Sequence, residues 1–209
     1  MSTLDQFRPY VQPSVPGCPL VLVDDTVLNA CRKFSEDSWL ITEDLATINT
    51  VASTQSYTLT PAQMSALDVA EVFGVKTVIR DGVLSALSPV QEVTAARYVQ
   101  ALGTPTCYWF ADGKLYLYPT PDRVYALTVE ALTRPLQTAT IVSSKYIEYR
   151  DPVTMYAKFV LMAMAGKPWT SPDDARANYA MYTQKTGEQQ RKQGTGRVAA
   201  PLRVAANFF

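Results

Sequence analysis

The chain has 209 residues, 47% hydrophobic and 18% charged, which suits one compact domain or two small ones. Nineteen Lys and Arg balance nineteen Asp and Glu, so bulk charge draws the protein neither to nucleic acid nor to an anionic membrane. The chain contains no histidine. That removes Ser-His-Asp and Cys-His arrangements and most zinc sites together, because histidine is the usual base near neutral pH and the commonest metal ligand.

The start, MSTLDQFRPY, lacks the basic and apolar regions of a signal peptide. No apolar run approaches the ~20 residues that span a bilayer. These features predict a soluble protein made in the cytoplasm, with no membrane partner. Cys18, Cys31 and Cys107 are too scattered for a CxxC site and read as reduced packing residues.

In chain order, Pro9, Pro13, Pro16 and Pro19 predict an extended arm over residues 1–19. Val23, Val27, Ala30, Cys31 and Phe34 then fall on one face of a helix over 20–38. Asp24 and Asp25 lie in its first turns, where the helix dipole favours negative charge. Residues 39–150 read as an inserted β region with short helices. WLITEDLATI and SYTLT look like a strand pair, and Thr60-Pro61 opens a short helix through Leu67. Asp81-Gly82 marks a two-residue hairpin turn, and Ser88-Pro89 starts a helix that stops at Gly103. Cys107 to Phe110 pairs through Asp112-Gly113 onto Leu115 to Tyr118. The stretch Leu115 to Ala131 reads as a further hairpin with Pro119 and Pro121 at its tip.

Helical signals return at Asp151 and Pro152, and Gly166-Lys167-Pro168 closes that helix. VTMYAKFVLMAMA between them is apolar almost all round, as in a helix buried on every side. Ser171-Pro172-Asp173-Asp174 reads as a capping box for a last helix with Ala175, Tyr179 and Tyr182 on one face. Periodicity ends near Gln193, and Gly194 and Gly196 form a joint. The fold class is therefore α+β. A small helical bundle of the first helix and the last two (20–38 and 151–192) carries an inserted antiparallel β region, with extended arms at 1–19 and 193–209.

Candidate chemistry is sparse. Gly194-Thr195-Gly196-Arg197 follows no strand and opens no helix, so it reads as a joint rather than a phosphate loop. Glu36-Asp37 and Glu43-Asp44 are adjacent pairs that do not face each other, which suits a solvated surface better than acid/base work. Tyr108, Trp109, Phe110, Tyr116, Tyr118 and Tyr125 could stack sugars or bases, but no Lys/Arg patch accompanies them. Sheet packing or a subunit interface is the preferred reading. No catalytic residue, metal ligand or cofactor is expected.

The order PGCP before a helix, a β region, LGTPTCYW, LYLYPTP, LTVEALTRP, GKPW, SPDDARANYAMY and a tail in Phe resembles the head-to-tail adaptor (connector or gatekeeper) proteins of short-tailed bacteriophages. Ala96-Arg97-Tyr98 departs from the acidic or tryptophan-rich pattern before LGTP. The resemblance implies a virion neck protein: a ring of twelve subunits binding the portal and the tail nozzle or tail tube, with transient, non-specific passage of double-stranded DNA. Candidate assembly contacts are Pro119 and Pro121 at the stiff corner and Arg197, Leu202, Arg203, Phe208 and Phe209 in the tail. The competing readings are another neck or tail-completion protein, and a carbohydrate- or receptor-binding module.

Overall fold

The computed structural model describes residues 2–59, 70–81, 86–90 and 101–194, and its fold is mixed α and β. The chain opens with β1 (Ser2–Thr3), which pairs antiparallel with β12 (Ile141–Val142). An extended arm does not follow. Residues Leu4–Phe7 form a 3-10 turn, Arg8–Val11 form α1, and Gln12–Ser14 form a second 3-10 turn. Pro9 and Pro13 each sit in the first two positions of a turn, where the missing N–H costs nothing. Leu4, Phe7, Val11, Val15 and Cys18 recur at near-helical spacing and are all buried. Burial of that stripe outweighs the prolines' preference for extension.

Helix α2 (Leu20–Ser38) buries Val23, Val27, Ala30, Cys31 and Phe34, the face its periodicity predicts. It stops at Trp39, whose left-handed φ of 58° lets its N–H bond back to Ser35. Asp24 does more than sit near the dipole, because the Arg8 guanidinium grips both its oxygens at 2.8 and 2.5 Å. After the short α3 (Lys145–Glu148), α4 (Arg150–Met162) packs against both α2 and α5 (Pro172–Gly194). Asp151 provides no side-chain cap. Nor is α4 buried all round: Val153, Ala157 and Leu161 face the core, while Tyr156 and Phe159 are only half-buried. Those two rings lean on Tyr182 and Tyr179 of α5, with centroids 5.0 and 4.9 Å apart. At the start of α5 the Ser171 hydroxyl donates to the Asp174 carboxylate at 2.7 Å.

The strands divide into two larger sheets. In one, β11 (Ala126–Pro135) is central: β5 (Ala70–Arg80) runs antiparallel along one edge, and β2 (Thr42–Asp44) and β3 (Ile48–Asn49) along the other. In the other, β8 (Cys107–Ala111) and β9 (Lys114–Tyr118) form the expected hairpin, turning at Asp112-Gly113 with φ of 49° and 72°. Two short strands flank this hairpin: β4 (Ser56–Thr58) pairs with β9, and β6 (Ser88–Pro89) runs parallel to β8.

Three sequence readings change here. WLITEDLATI and SYTLT do not pair with each other but join different sheets. Ser88-Pro89 is a strand rather than a helix start. Leu115 to Ala131 is not a hairpin, since β9 and β11 belong to separate sheets, and its proline corner carries the chain between them. The helices expected from Thr60 and between Ser88 and Gly103 fall largely on residues 60–69 and 91–100, outside the described residues. Gly82 also lies outside them, although an Ile79–Ala86 bridge crosses that turn.

Two hydrophobic cores result. One gathers Phe7, Phe34, Tyr146, Val153 and Leu161 between the helices, and the other gathers Val78, Leu115, Leu117, Leu127 and Val129 between the sheets. All three cysteines are free, and burial pushes the Cys31 thiol pKa up.

Candidate assembly surfaces

The proline corner is built around a cis Tyr118–Pro119 bond. Beyond it, β10 (Thr120–Pro121) runs parallel to β7 (Leu102–Gly103). A Cβ on Gly103 would sit 3.6 Å from Pro119 Cβ, so the pyrrolidine ring lies against this backbone. Pro121 is buried, and its carbonyl accepts from the Ser53 N–H at 2.8 Å. Tyr125, also buried, is the keystone. Its hydroxyl donates to Asp122 Oδ1 at 2.6 Å, and the guanidiniums of Arg123 and Arg80 lie 5.2 and 5.5 Å from its ring centre. Thr50 Oγ1 accepts the Tyr125 N–H at 2.8 Å and donates to the Arg123 carbonyl at 3.1 Å.

Pro121 therefore braces the corner from inside, while Pro119, partly exposed, packs on the Gly103 backbone. What the corner presents to solvent is Val51, Leu102 and Val124, at 59%, 64% and 65% exposure. The sequence signal for them was faint. Val124 reads as one more alternating strand residue until the strand is seen to begin after it.

A second feature is a charged joint where α2 meets β5 and β11. Glu71 accepts from Arg32 at 2.9 Å and Arg134 at 2.8 Å, Arg134 also reaches Glu36, and Arg32 donates to the Pro135 carbonyl. Partial burial disfavours ionisation of Glu71, but the hydrogen bonds from Arg32 and Arg134 outweigh it and hold its pKa below the ordinary value. The adjacent acidic pairs are thus not simply solvated. Glu36 belongs to this joint, Asp37 binds Lys33 and the Tyr182 hydroxyl at 2.7 Å each, and Glu43 pairs with Lys145 at 3.2 Å.

The aromatic residues of the β8–β9 hairpin divide by strand alternation. Tyr108 turns inward, its hydroxyl donating to the Lys76 carbonyl at 3.0 Å. Trp109 and Tyr116 stack on the other face with centroids 5.0 Å apart and planes 6° off parallel. Among the described residues no cluster of His, Cys, Asp or Glu could hold a metal ion, and no helix is long and apolar enough to cross a membrane. Arg197, Leu202, Arg203, Phe208 and Phe209 lie outside the described residues.

A family model described as SU10 adaptor protein matches residues 17–205. No curated protein matches the chain.

Proposed function

The chain belongs to the SU10 adaptor protein family, and from that premise we propose that it is a bacteriophage head-to-tail adaptor of the virion neck, a structural protein and not an enzyme. It forms a ring of twelve subunits beneath the portal, contacts the tail nozzle or tail tube, and extends the channel through which double-stranded DNA passes. The observation that carries this reading is the family match, which covers the helical and β parts alike. In this reading α2, α4 and α5 form a bundle from which residues 39–150 project.

Three physical features support it. The braced proline corner offers exposed Val51, Leu102 and Val124 on a fixed frame, so little conformational entropy is lost when a neighbour covers them. Equal numbers of acidic and basic residues suit a channel that DNA crosses without being held. The tail's composition, with the apolar Leu202, Phe208 and Phe209 beside Arg197 and Arg203, suits an arm that docks on a neighbouring virion protein, an effect multiplied around a ring.

The test is native mass spectrometry of the purified chain with and without a portal ring. The expected result is a monomer alone and twelve copies added to each portal. A stable ring without the portal, or no binding to it, refutes the proposal. A variant ending at Arg197 is expected to keep its cooperative unfolding but to leave DNA-filled heads unjoined to tails. Normal infectious particles from that variant remove the arm from the mechanism.

A further inference from the structure

A cleft of about 310 Å³ opens between the end of α2 and the two sheets, walled by Trp39, Phe73, Val90, Trp109, Phe110 and Leu132. Among the described residues no charged side chain lines it. The phenolic hydroxyl of Tyr108 in its wall already donates to the Lys76 carbonyl. A sugar, with hydroxyls to satisfy, finds few partners there, whereas apolar side chains lose nothing by entering. At the mouth stands Trp39, 63% exposed and held out from α2 by its left-handed backbone. At the rim of an apolar cleft, that indole extends one contiguous apolar surface, the kind that marks a docking site.

The end of α5 lies beside that mouth. Gln190 Nε2 donates to the carbonyl oxygens of Asp37 at 2.8 Å and Ser38 at 3.3 Å, the two residues directly before Trp39. Gly194, about 6 Å along the helix from Gln190, is the last described residue before the tail. The tail runs for fifteen residues, 195–209. At roughly 3.3 Å per residue this reaches up to about 50 Å. It carries Val198, Leu202, Val204, Phe208 and Phe209 and no acidic residue.

We propose that in the free subunit residues 198–209 lie in their own chain's aromatic cleft and cover Trp39. A short tether gives the tail an effective concentration in the millimolar range, so its own cleft outcompetes that of a second copy at ordinary protein concentrations. The arm's apolar residues are thereby kept from premature self-association until a neighbour in the assembly displaces them. The inference concerns the isolated chain, and its failure would leave the adaptor reading standing.

The experiment is tryptophan emission and acrylamide quenching of the full chain, of a variant ending at Arg197, and of the double variant Phe208→Ala with Phe209→Ala, each checked for folding by circular dichroism. The full chain is expected to show a blue-shifted, protected tryptophan. Both variants are expected to shift to the red and lose that protection, and a peptide of residues 198–209 added to the shortened chain restores it. Introducing Trp39→Phe into the full and shortened chains shrinks the difference between them to the part that Trp109 in the cleft wall reports. Should the shortened chain fail to fold, the double variant decides alone. Identical emission and quenching across the folded proteins overturns the proposal. So does protection that appears only as concentration rises together with a dimer in sedimentation, which would place a second copy's tail in the cleft.

Discussion

Phe7→Ala tests whether the first eighteen residues are structure or arm. The Phe7 side chain is 0% exposed, and it lies in the helical core with Leu4, Val11 and Val15 around it in the same segment. Replacing a buried phenylalanine by alanine costs about 3–5 kcal/mol, from lost transfer energy and the cavity left behind. The polar ties of the segment are weaker. They include the two-residue pairing with β12, the Arg8–Asp24 pair, and Arg150, which stacks 4.1 Å over Tyr10 and donates to its hydroxyl, and ion pairs this open to solvent contribute little. Side-chain burial therefore decides whether the segment stays in place. Against a total stability of about 5–15 kcal/mol, the loss is a large share of what holds the protein folded. Urea titration followed by far-UV circular dichroism is expected to show a lower midpoint with an unchanged slope. A change of less than about 0.5 kcal/mol, typical of a surface substitution, would show that the segment peels away and that its burial contributes nothing.

Two further predictions separate α4's faces and the charged joint. Leu161→Ala, at a fully buried position, is expected to cost about 2–5 kcal/mol in the same assay. Phe159→Ala is expected to cost less, because its ring is half-exposed against Tyr179, and equal costs would contradict the placement of the α4 face. Glu71→Gln should destabilise the protein by about 1 kcal/mol at neutral pH, the scale of a partly exposed network. Since Arg32 and Arg134 hold the folded pKa below the ordinary value, Glu71's contribution is complete above about pH 4.5 and is lost as pH falls through the lower folded value. Stability measured against pH should thus show wild type and variant converging in acid, and a constant gap would refute the linkage.

The helices were the most legible part of the fold because their signals are local. Val23 to Phe34 shows a clean 3.6-residue stripe, and the residues it nominates are buried. The Asp112-Gly113 turn is equally local, and its hairpin forms as read. Strand pairing was not legible, because β11 draws partners from residues 42–49 and from 70–80 across long separations that no period encodes. Two prolines at 119 and 121 signalled a corner correctly, but not that the corner joins two sheets. In the first eighteen residues the conspicuous prolines masked a quieter stripe of Leu4, Phe7, Val11 and Val15. Of the expected contact residues, Pro121 is buried and Pro119 partly so, while the exposed Val51, Leu102 and Val124 are separated by more than twenty residues at each step, so no local pattern links them.

The two hydrophobic cores are joined chiefly through β11, and its irregularities explain how one strand serves both. Leu127, Val129 and Ala131 belong to the sheet core, while Arg134 reaches Glu36 on α2 and the Pro135 carbonyl accepts from Arg32. Between these halves the register against β5 slips twice, at Glu130/Ala131 and at Leu132/Thr133. Such bulges bend a strand and increase its twist, re-aiming the side chains beyond them. Gly74 lies opposite Leu132 at this bend, where an added Cβ would come within 3.0 Å of Leu132 Cδ1 and press on that buried side chain. With Arg32, Glu71, Arg134 and Glu36 linked across the joint, rotation of the helices against the sheets has to break several charge-assisted hydrogen bonds at once. For a subunit proposed to connect a head to a tail, that stiffness is the useful property. Through Arg32, Arg134 and the Pro135 carbonyl the helical end is tied directly to β11, the strand on which the larger sheet is built.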